Sequence, residues 1–189
     1  HGAARTVTGS CYRLRTPAGM LLIDCGMFQG SKTLRELNYQ PFPFLPADID
    51  AVLLTHAHID HSGQLPKLVR HGFGGRIHAT AATIDLCSVM LPDSANIQET
   101  EVERINRRNR QRGRDMVDPI YTIDDARATL EQFEPVGYEH WISPLKGVRA
   151  RYWNAGHMLG SASIEIEVSD GGGAPLRLVF SGDIGPDHK

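Results

Sequence analysis

The sequence contains few cysteines and no long hydrophobic run. Its three cysteines, Cys11, Cys25 and Cys87, are far apart in the chain, so they form neither a disulfide framework nor a Cys-x-x-Cys metal site. Such sparse cysteines favour a reducing compartment. No stretch of about eighteen or more apolar residues occurs, which argues against a transmembrane helix and a membrane partner. We therefore expect a cytoplasmic location, or a nuclear one if the source is eukaryotic.

The chain also lacks an excess of charge of either sign. Lys and Arg number 20 against 22 Asp and Glu, for a formal net charge of −2 at pH 7 with neutral histidines. Overall charge therefore does not indicate a polyanion partner, and any such contact must be local. With 41% hydrophobic and 22% charged residues among 189, the composition excludes disordered and fibrous classes and suits one domain with a real core.

Strand patterns occur at both ends of the chain, with helical patterns between them. The predicted strands are residues 7–16 and 20–26, which form a hairpin, and then 49–58, 76–80, 148–157, 162–169 and 175–183. The predicted helices are residues 62–73, with Ser62 as N-cap and Gly72 as the end, 81–112, which contains Pro92, and 121–133, with Thr122 as N-cap. This order predicts an α/β domain with layers and mixed sheets.

The segment THAHIDHSG, residues 55–63, holds four ligand-capable side chains: His56, His58, Asp60 and His61. It follows the apolar run VLL, which is typical of a buried strand that leads into a loop. A His-x-His pair at a strand end converges on one ion once the backbone leaves the sheet, and Asp60 and His61 then face a second point. Imidazole suits zinc, and imidazole mixed with carboxylate suits zinc, iron or manganese. The alternative is a histidine-rich surface loop. That interpretation would explain two histidines better than it explains four ligand-capable residues in this order.

Two later strands end in the same way, with a ligand residue beside glycine. His157 lies between Gly156 and Gly160, and Asp183 follows Gly182. Small flanking residues allow the backbone to approach a metal closely. Taken alone, each residue is also explained as a structural histidine or a turn aspartate, whereas together with the loop they indicate ligands from several strand ends at one edge. An aspartate can bridge two cations roughly 3.5–4 Å apart, as in two-metal hydrolases.

Five long blocks of the sequence occur in the same order as the motifs of a known protein family. They are GAARTVTGSCYRL, LLIDCGMFQG, AVLLTHAHIDHSGQLPKLVRHGF, NAGHMLGSASIEI and LVFSGDIG, and together they extend over nearly the whole chain. This set resembles the metallo-β-lactamase superfamily, and LLIDCGMFQG and AGHMLGSA are similar to its β-CASP ribonuclease branch. The resemblance implies an α/β metallo-β-lactamase fold, an αββα sandwich of mixed sheets, of which this chain holds the N-terminal portion.

The resemblance implies a role for each matching residue of the site. The first zinc ion would be held by His56, His58 and His157, and the second by Asp60 and His61, with Asp183 bridging the two. Asp24 would order the loop without binding metal, as residues behind metal ligands commonly do. A water between the metals would be the nucleophile, and Asp60 would also help to move protons, so Asp60 and Asp183 are the implied catalytic residues. Mn²⁺ and Fe²⁺ are alternatives to zinc.

The ligand types also separate substrate classes within this resemblance. Many β-lactamases of the fold have a cysteine where this chain has Asp183, and an arginine or similar residue where it has His61. The resemblance therefore implies a metal-dependent hydrolase that cleaves RNA phosphodiester bonds, with RNA as its partner. Two alternatives stay open: another hydrolase of the fold, such as a DNA nuclease or a thioesterase, and a non-catalytic, scaffold-like relative. A scaffold would be expected to lose ligands, whereas this segment keeps all six.

The resemblance also implies more chain than these 189 residues. The family has a β-CASP domain after the block SGDIG, and then a return segment with a further metal histidine and a further catalytic-site histidine. We expect residues 1–189 to be an incomplete metallo-β-lactamase domain, with both parts after residue 189. His188 lies in no such motif and is expected to be a tail residue. A homodimer is left open.

The run ERINRRNRQRGRD concentrates six arginines: Arg104, Arg107, Arg108, Arg110, Arg112 and Arg114. One interpretation is a solvated helix end or mobile arm, and the other is local, salt-sensitive contact with phosphates. The preceding acidic stretch QETEVE would neutralise part of the cluster through i,i+4 pairs. No aromatic array for stacking RNA bases is visible, because Trp141 and Trp153 lie in strand patterns and are expected in the core. His78 and His140 are expected to be structural.

Overall fold

A computed structural model describes residues 2–3, 7–169 and 172–186 of the chain. Its strands are β1 Tyr12–Thr16, β2 Gly19–Ile23, β3 Ala51–Leu53, β4 Arg76–Thr80, β5 Phe133–Val136, β6 Trp141–Leu145, β7 Val148–Asn154, β8 Ala162–Val168 and β9 Leu176–Phe180. Its α-helices are α1 Lys32–Glu36, α2 Ile59–Ser62, α3 Leu65–Arg70, α4 Ala81–Gln111 and α5 Ile123–Leu130. His188, which we expected to be a tail residue, lies outside the described residues.

Two β-sheets form the framework of the fold. The first has the strand order β1-β2-β3-β4-β5, and the second has the order β6-β7-β8-β9. The predicted hairpin of β1 and β2 is antiparallel, whereas β2 to β5 run parallel. Parallel neighbours need crossover connections, which α2 and α3 provide between β3 and β4, and α4 and α5 between β4 and β5. The second sheet is antiparallel throughout, so the predicted mixed α/β architecture is confirmed.

The first sheet is buried on both of its faces. Leu22 packs in a cluster with helical residues such as Leu68 and Leu91, whereas its neighbour Leu21 packs in a cluster with Tyr152 of the second sheet. Neighbouring side chains of a strand point to opposite faces, so one strand serves both clusters. Full burial of each such leucine stabilises the fold by about 1.5–3 kcal/mol. The described residues thus form three layers, namely helices, first sheet and second sheet.

The prediction that Trp141 and Trp153 belong to the core is wrong. Both lie on the face of the second sheet that points away from the first, and Trp153 is 37% exposed. The guanidinium of Arg151 sits 4.4 Å from the Trp141 ring centre and 4.3 Å from that of Trp153. Arg151 also forms a 2.8 Å ion pair with Glu165. A strand pattern alone does not decide which face is inside, and here Tyr152 and its neighbours fill the inner face.

The start of the helix predicted at Ser62 is also wrong. Ser62 is the last residue of α2, and a separate helix begins at Leu65. The hydroxyl of Ser62 donates to the carbonyl oxygen of Ala57 at 2.8 Å and to that of His58 at 3.1 Å, so it closes the turn behind the loop. The predicted end at Gly72 is confirmed, since this glycine follows α3 with φ +105°, a left-handed conformation that terminates helices.

The two later helices agree with the sequence patterns. Helix α4 continues through Pro92 to Gln111. Thr122 caps α5 in a reciprocal pair with Asp125, in which each side chain accepts from the other residue's backbone N–H. No helix in the described ranges is both long and apolar enough to cross a membrane.

Candidate metal centre

The loop of residues 55–61, here called the metal loop, leaves the carboxyl end of β3. His157 follows β7, and Asp183 follows β9. The backbone N–H of Ala162 donates to the carbonyl oxygen of Thr55 at 2.9 Å, which ties the second sheet to the metal loop at this point. Three strand ends from two sheets therefore meet at one edge of the sandwich.

Four of the predicted ligands form one cluster: His56, His58, His157 and Asp183. Nδ1 of His58 lies 3.1 Å from Nε2 of His56 and 3.2 Å from Nε2 of His157. Oδ2 of Asp183 lies 3.5 Å from Nε2 of His157 and 3.9 Å from Nε2 of His56. A tetrahedral site with metal–nitrogen bonds of about 2.0–2.1 Å has ligand atoms about 3.3 Å apart. The cluster therefore fits one ion of the size of zinc.

The other carboxylate oxygen of Asp183 faces His61. Oδ1 of Asp183 lies 3.3 Å from Nε2 of His61, so one carboxylate has an oxygen on each side. Asp60 is half-buried beside His61 in α2, and its negative charge acts on the His61 ring. Within the described part of the chain, Asp60 and His61 fall outside the four-residue cluster. The six predicted ligands thus lie in one region, and four of them present converging ligand atoms.

Asp24 binds the metal loop through several hydrogen bonds. Its Oδ1 accepts from the backbone N–H of Thr55 at 2.8 Å, and its Oδ2 accepts from Oγ1 of Thr55 at 3.0 Å and from Nδ1 of His61 at 2.7 Å. Ser10 donates a further bond at 3.2 Å. Asp24 has φ +60°, a conformation that Asp adopts more readily than most residues. Because the Nδ1 proton of His61 points to Asp24, Nε2 keeps its lone pair for a metal.

Two hydroxyl groups support candidate ligands of the site. The sequence patterns do not identify Thr55, and they do not decide whether Ser161 bonds to a loop that carries a ligand. Oγ1 of Thr55 lies 3.0 Å from Nδ1 of His56. Since this hydroxyl donates to Asp24, it accepts from the imidazole N–H, and Nε2 of His56 is left for a metal. Oγ of Ser161 accepts from the backbone N–H of His157 at 3.1 Å and thereby orders that loop. The sequence feature that could have identified Thr55 as a supporting residue is its position directly before the His-x-His pair.

Burial and neighbouring charges act differently on two histidines of the site. Burial, reinforced by the charges of nearby histidines, lowers the pKa of His56 to about 3. His56 is therefore neutral at ordinary pH, which is the form that binds metal. Burial also lowers the pKa of His61, but the hydrogen bond and charge of Asp24, helped by Asp183 and Asp60, outweigh it and leave the pKa raised. The His61 side of the site is thus the more negative one and attracts a cation.

Replacement of Asp24 by Asn is expected to weaken zinc binding by about 10–100-fold, the usual cost of changing a residue that orients a ligand. Asn tolerates the same left-handed backbone, so the change removes the charge that holds the His61 proton without straining the chain. Calorimetric titration of the metal-free protein with zinc measures the effect. Ser10→Ala removes only the 3.2 Å contact and is the matched control. Unchanged zinc affinity in Asp24→Asn would show that the carboxylate does not orient the ligand.

Relatives among curated proteins match along the whole chain. Ribonuclease TTHA0252 of Thermus thermophilus is 38% identical over 188 residues, which cover 100% of this chain and 38% of the relative. Transcription termination factor FttA of Methanosarcina mazei is 32% identical over 183 residues, which cover 96% of this chain and 26% of the relative. Cleavage and polyadenylation specificity factor 73 of Drosophila melanogaster is 30% identical over 184 residues, which cover 96% and 24%. The chain thus spans about a quarter to two fifths of the length of these relatives.

Family and fold comparisons agree with each other. A family model described as the metallo-β-lactamase superfamily matches residues 4–85. A metallo-β-lactamase of Cronobacter sakazakii with a HARLDQ motif has a TM-score of 0.54 and 21% identity, and covers 93% of this chain and 53% of that one. MEM-A1, a subclass B3 metallo-β-lactamase from a soil metagenome, has a TM-score of 0.55 and 18% identity, with 93% and 57% covered. At such identities the likeness shows the fold alone. Residues 4–85 thus match the model of the metallo-β-lactamase superfamily, and the solved structures share the fold of this chain.

Proposed function

We propose that this chain provides the metal centre of a β-CASP-type nuclease that hydrolyses RNA phosphodiester bonds. The position of the Asp183 carboxylate carries the proposal. Its Oδ2 faces the histidines of the four-residue cluster, and its Oδ1 faces His61. A carboxylate in this position, with one oxygen towards each group, can bridge two metal ions, as a two-metal hydrolase would use it.

The residues present fit two ions. We propose zinc, with Mn²⁺ and Fe²⁺ as alternatives, since a set of imidazoles and carboxylates suits each of them. When bound, such a pair lowers the pKa of a coordinated water and stabilises charge on phosphate oxygens. The first ion would be held by His56, His58, His157 and Asp183, and the second by Asp60, His61 and Asp183. Asp60 is the half-buried carboxylate beside His61, and we assign proton transfer to it.

The substrate class rests on the relatives and on the ligand at residue 183. One relative is named a ribonuclease, and others are a transcription termination factor and a cleavage and polyadenylation factor. These names concern RNA, whereas the structures of lactamases support only the fold. An aspartate at residue 183 also suits a phosphodiester better than a lactam. RNA is therefore the proposed substrate of the full-length protein.

Two features of the full-length protein belong to the same proposal. The relatives are longer than this chain, which spans 38% of the Thermus ribonuclease. We propose that a β-CASP domain and a return segment contribute a further histidine to the His61 side of the site. Homodimerisation and a cytoplasmic location stay predictions, which sedimentation and fractionation of the full-length protein would measure.

Metal removal is expected to abolish hydrolysis of RNA by the full-length protein. Elemental analysis should find about two zinc ions per chain, because the ligands form two adjoining sets. Dialysis against a chelator should remove the metal and the activity together, and zinc should restore both. Matched RNA, DNA, thioester and lactam substrates then separate the classes. If the zinc-loaded protein cleaved only the thioester or the lactam, the proposal of an RNA phosphodiesterase would be refuted.

A further inference from the structure

We propose that the arginines at the end of α4 bind phosphates of an RNA strand that extends away from the metal centre. This inference rests on the proposed function and adds a second contact surface to it. The surface, here called the arginine cluster, consists of Arg104, Arg107, Arg108, Arg110, Arg112 and Arg114.

The arginine cluster lies on an ordered part of the chain and not on a mobile arm. Asn106 exchanges two hydrogen bonds with the backbone of Val117, at 2.8 and 2.9 Å. Asn109 donates a third to the carbonyl oxygen of Asp115 at 2.8 Å. These side chains fasten the returning segment to one side of α4. Since the helical period is 3.6 residues, Arg104 and Arg108 project from the opposite side, where they are exposed.

The arginines of the cluster are not held in ion pairs, although Glu103 and Asp115 flank them in the chain. Residues 104–114 contain six arginines and no acidic residue, and all six arginines are exposed. The i,i+4 ion pairs expected with the stretch QETEVE do not form: among the described residues, the arginine cluster makes no ion pair with a carboxylate. That expectation is therefore wrong. Among the other exposed arginines, some are paired, such as Arg127 with Asp124 at 3.4 Å, whereas isolated ones such as Arg15 and Arg76 have no ion pair in the described part of the chain; the cluster differs in placing six unpaired arginines together. Local, unpaired positive charge is complementary to a phosphate backbone.

A groove runs along α4 from a residue between His58 and Asp60 of the metal loop to the residue next to Arg104. Its volume is about 740 Å³, and its walls include Ile59 of the metal loop and, along α4, Met90, Ile97 and Ile105. At 1.5 Å per residue, Arg104 lies roughly 21 Å along the helix from Met90. That distance equals about six stacked nucleotides of an RNA strand at 3.4 Å each. An RNA of a few nucleotides is therefore shorter than the stretch of α4 between Met90 and Arg104, and we propose that it reaches the metal centre without reaching the cluster.

The charges favour RNA over an acidic protein segment. The groove itself carries both signs, with Lys32 and Arg35 against Glu36, Asp93 and Glu101, so a uniformly acidic peptide gains little along its length. Phosphates need only the cluster at the far end, and each contact releases counterions from the strand. A repeating polyanion that extends from the metal centre carries phosphates for both the proposed cations and the cluster.

The test compares two triple variants of the full-length protein with equal charge changes. The first is Arg104→Gln, Arg107→Gln and Arg108→Gln, which spares Asn106 and Asn109. The control is Arg15→Gln, Arg127→Gln and Lys146→Gln, which removes exposed cations elsewhere. Binding of a fluorescent oligouridine of about 30 nucleotides is measured in chelator across a salt series, so that hydrolysis does not interfere. Hydrolysis of a tetranucleotide is measured separately with zinc, and circular dichroism checks the folds.

The first variant should bind the long RNA about tenfold more weakly or worse, and its salt slope should fall by about 2, since each phosphate contact on a single strand contributes about 0.7. The control should change much less, and tetranucleotide hydrolysis should be unaffected in both. An acidic peptide of about 30 residues is titrated in the same buffers. Equal losses of RNA binding in the two variants, or none, would overturn the proposal, as would loss of peptide binding with RNA binding intact. If the first variant alone lost long-RNA binding but the parent protein with zinc cleaved no RNA, only the proposed function would be refuted.

Discussion

Replacement of Asp183 by alanine in the full-length protein is expected to lower kcat for RNA hydrolysis by about 10³-fold or more. The loss is large because one carboxylate serves both sides of the site, with Oδ2 3.5 Å from His157 and Oδ1 3.3 Å from His61. Metal ions contribute several kcal/mol of charge stabilisation in the transition state, and about 4 kcal/mol corresponds to 10³-fold in rate. Both proposed ions lose a ligand at once.

Metal content separates this explanation from simple misfolding. Asp183→Ala should lower the zinc content on both sides, whereas His58→Ala should affect the three-histidine side, because His58 contacts His56 and His157. Asp85→Ala, an exposed carboxylate in α4, is the control and should retain zinc and rate. Full zinc content together with a normal rate in Asp183→Ala would mean that this carboxylate is not a ligand.

Replacement of Gly26 by alanine is expected to destabilise the domain by about 3 kcal/mol, at the upper end of what overpacking costs. A Cβ atom at Gly26 would lie 1.6 Å from the carbonyl oxygen of Asp60 and 2.8 Å from the backbone nitrogen of His61. Both neighbours are backbone atoms of the metal loop, so no side chain can rotate away. The loop must move, and the ligands of the His61 side move with it.

Thermal unfolding and zinc titration together measure this effect. For a domain of this size, about 3 kcal/mol lowers the midpoint by roughly 6–12 °C. The matched control is Gly74→Ala, since a Cβ there would have nothing within 4 Å. If Gly26→Ala had the same unfolding midpoint as Gly74→Ala and bound zinc equally well, the close approach of Gly26 to the metal loop would matter neither for stability nor for zinc binding.

The residues that the sequence proposed as ligands lie in one region of the structure, whereas their surroundings were predicted less well. His56, His58, Asp60 and His61 are near one another in the chain, and a strand end brings such neighbours together through local geometry alone. His157 and Asp183 share the pattern of an apolar strand, a ligand and a glycine, so they were found although they are distant. Their convergence follows from where strands of the two sheets end, which the sequence does not specify.

Errors arose where the burial of a face depends on another layer. Alternation in β7 separates Tyr152 from Trp153, but which of them is inside depends on the first sheet, whose inner face Tyr152 meets. Strand β5 was not predicted, since it is short and contains Pro135, and proline weakens a strand pattern. The strand pattern at Trp141 was noted without bounds, and β6 is likewise interrupted by a proline, Pro144. The acidic partners proposed for the arginine cluster were judged from spacing alone, whereas side-chain direction decides pairing.

By itself, the sequence determined the α/β class, the six candidate ligands and the resemblance to a superfamily, because composition, strand patterns and local motifs are properties of neighbouring residues. Only the tertiary structure decided which atom of each ligand is available. Asp24 orients His61 through a hydrogen bond between residues that are 37 positions apart in the chain. Thr55 orients the neighbouring residue, His56, in the same way. Asp183 faces two groups of candidate ligands at once. The bond between Asp24 and His61 depends on the parallel pairing of β2 with β3. The contacts of Asp183 depend on how the two sheets pack, because this residue follows β9 of the second sheet.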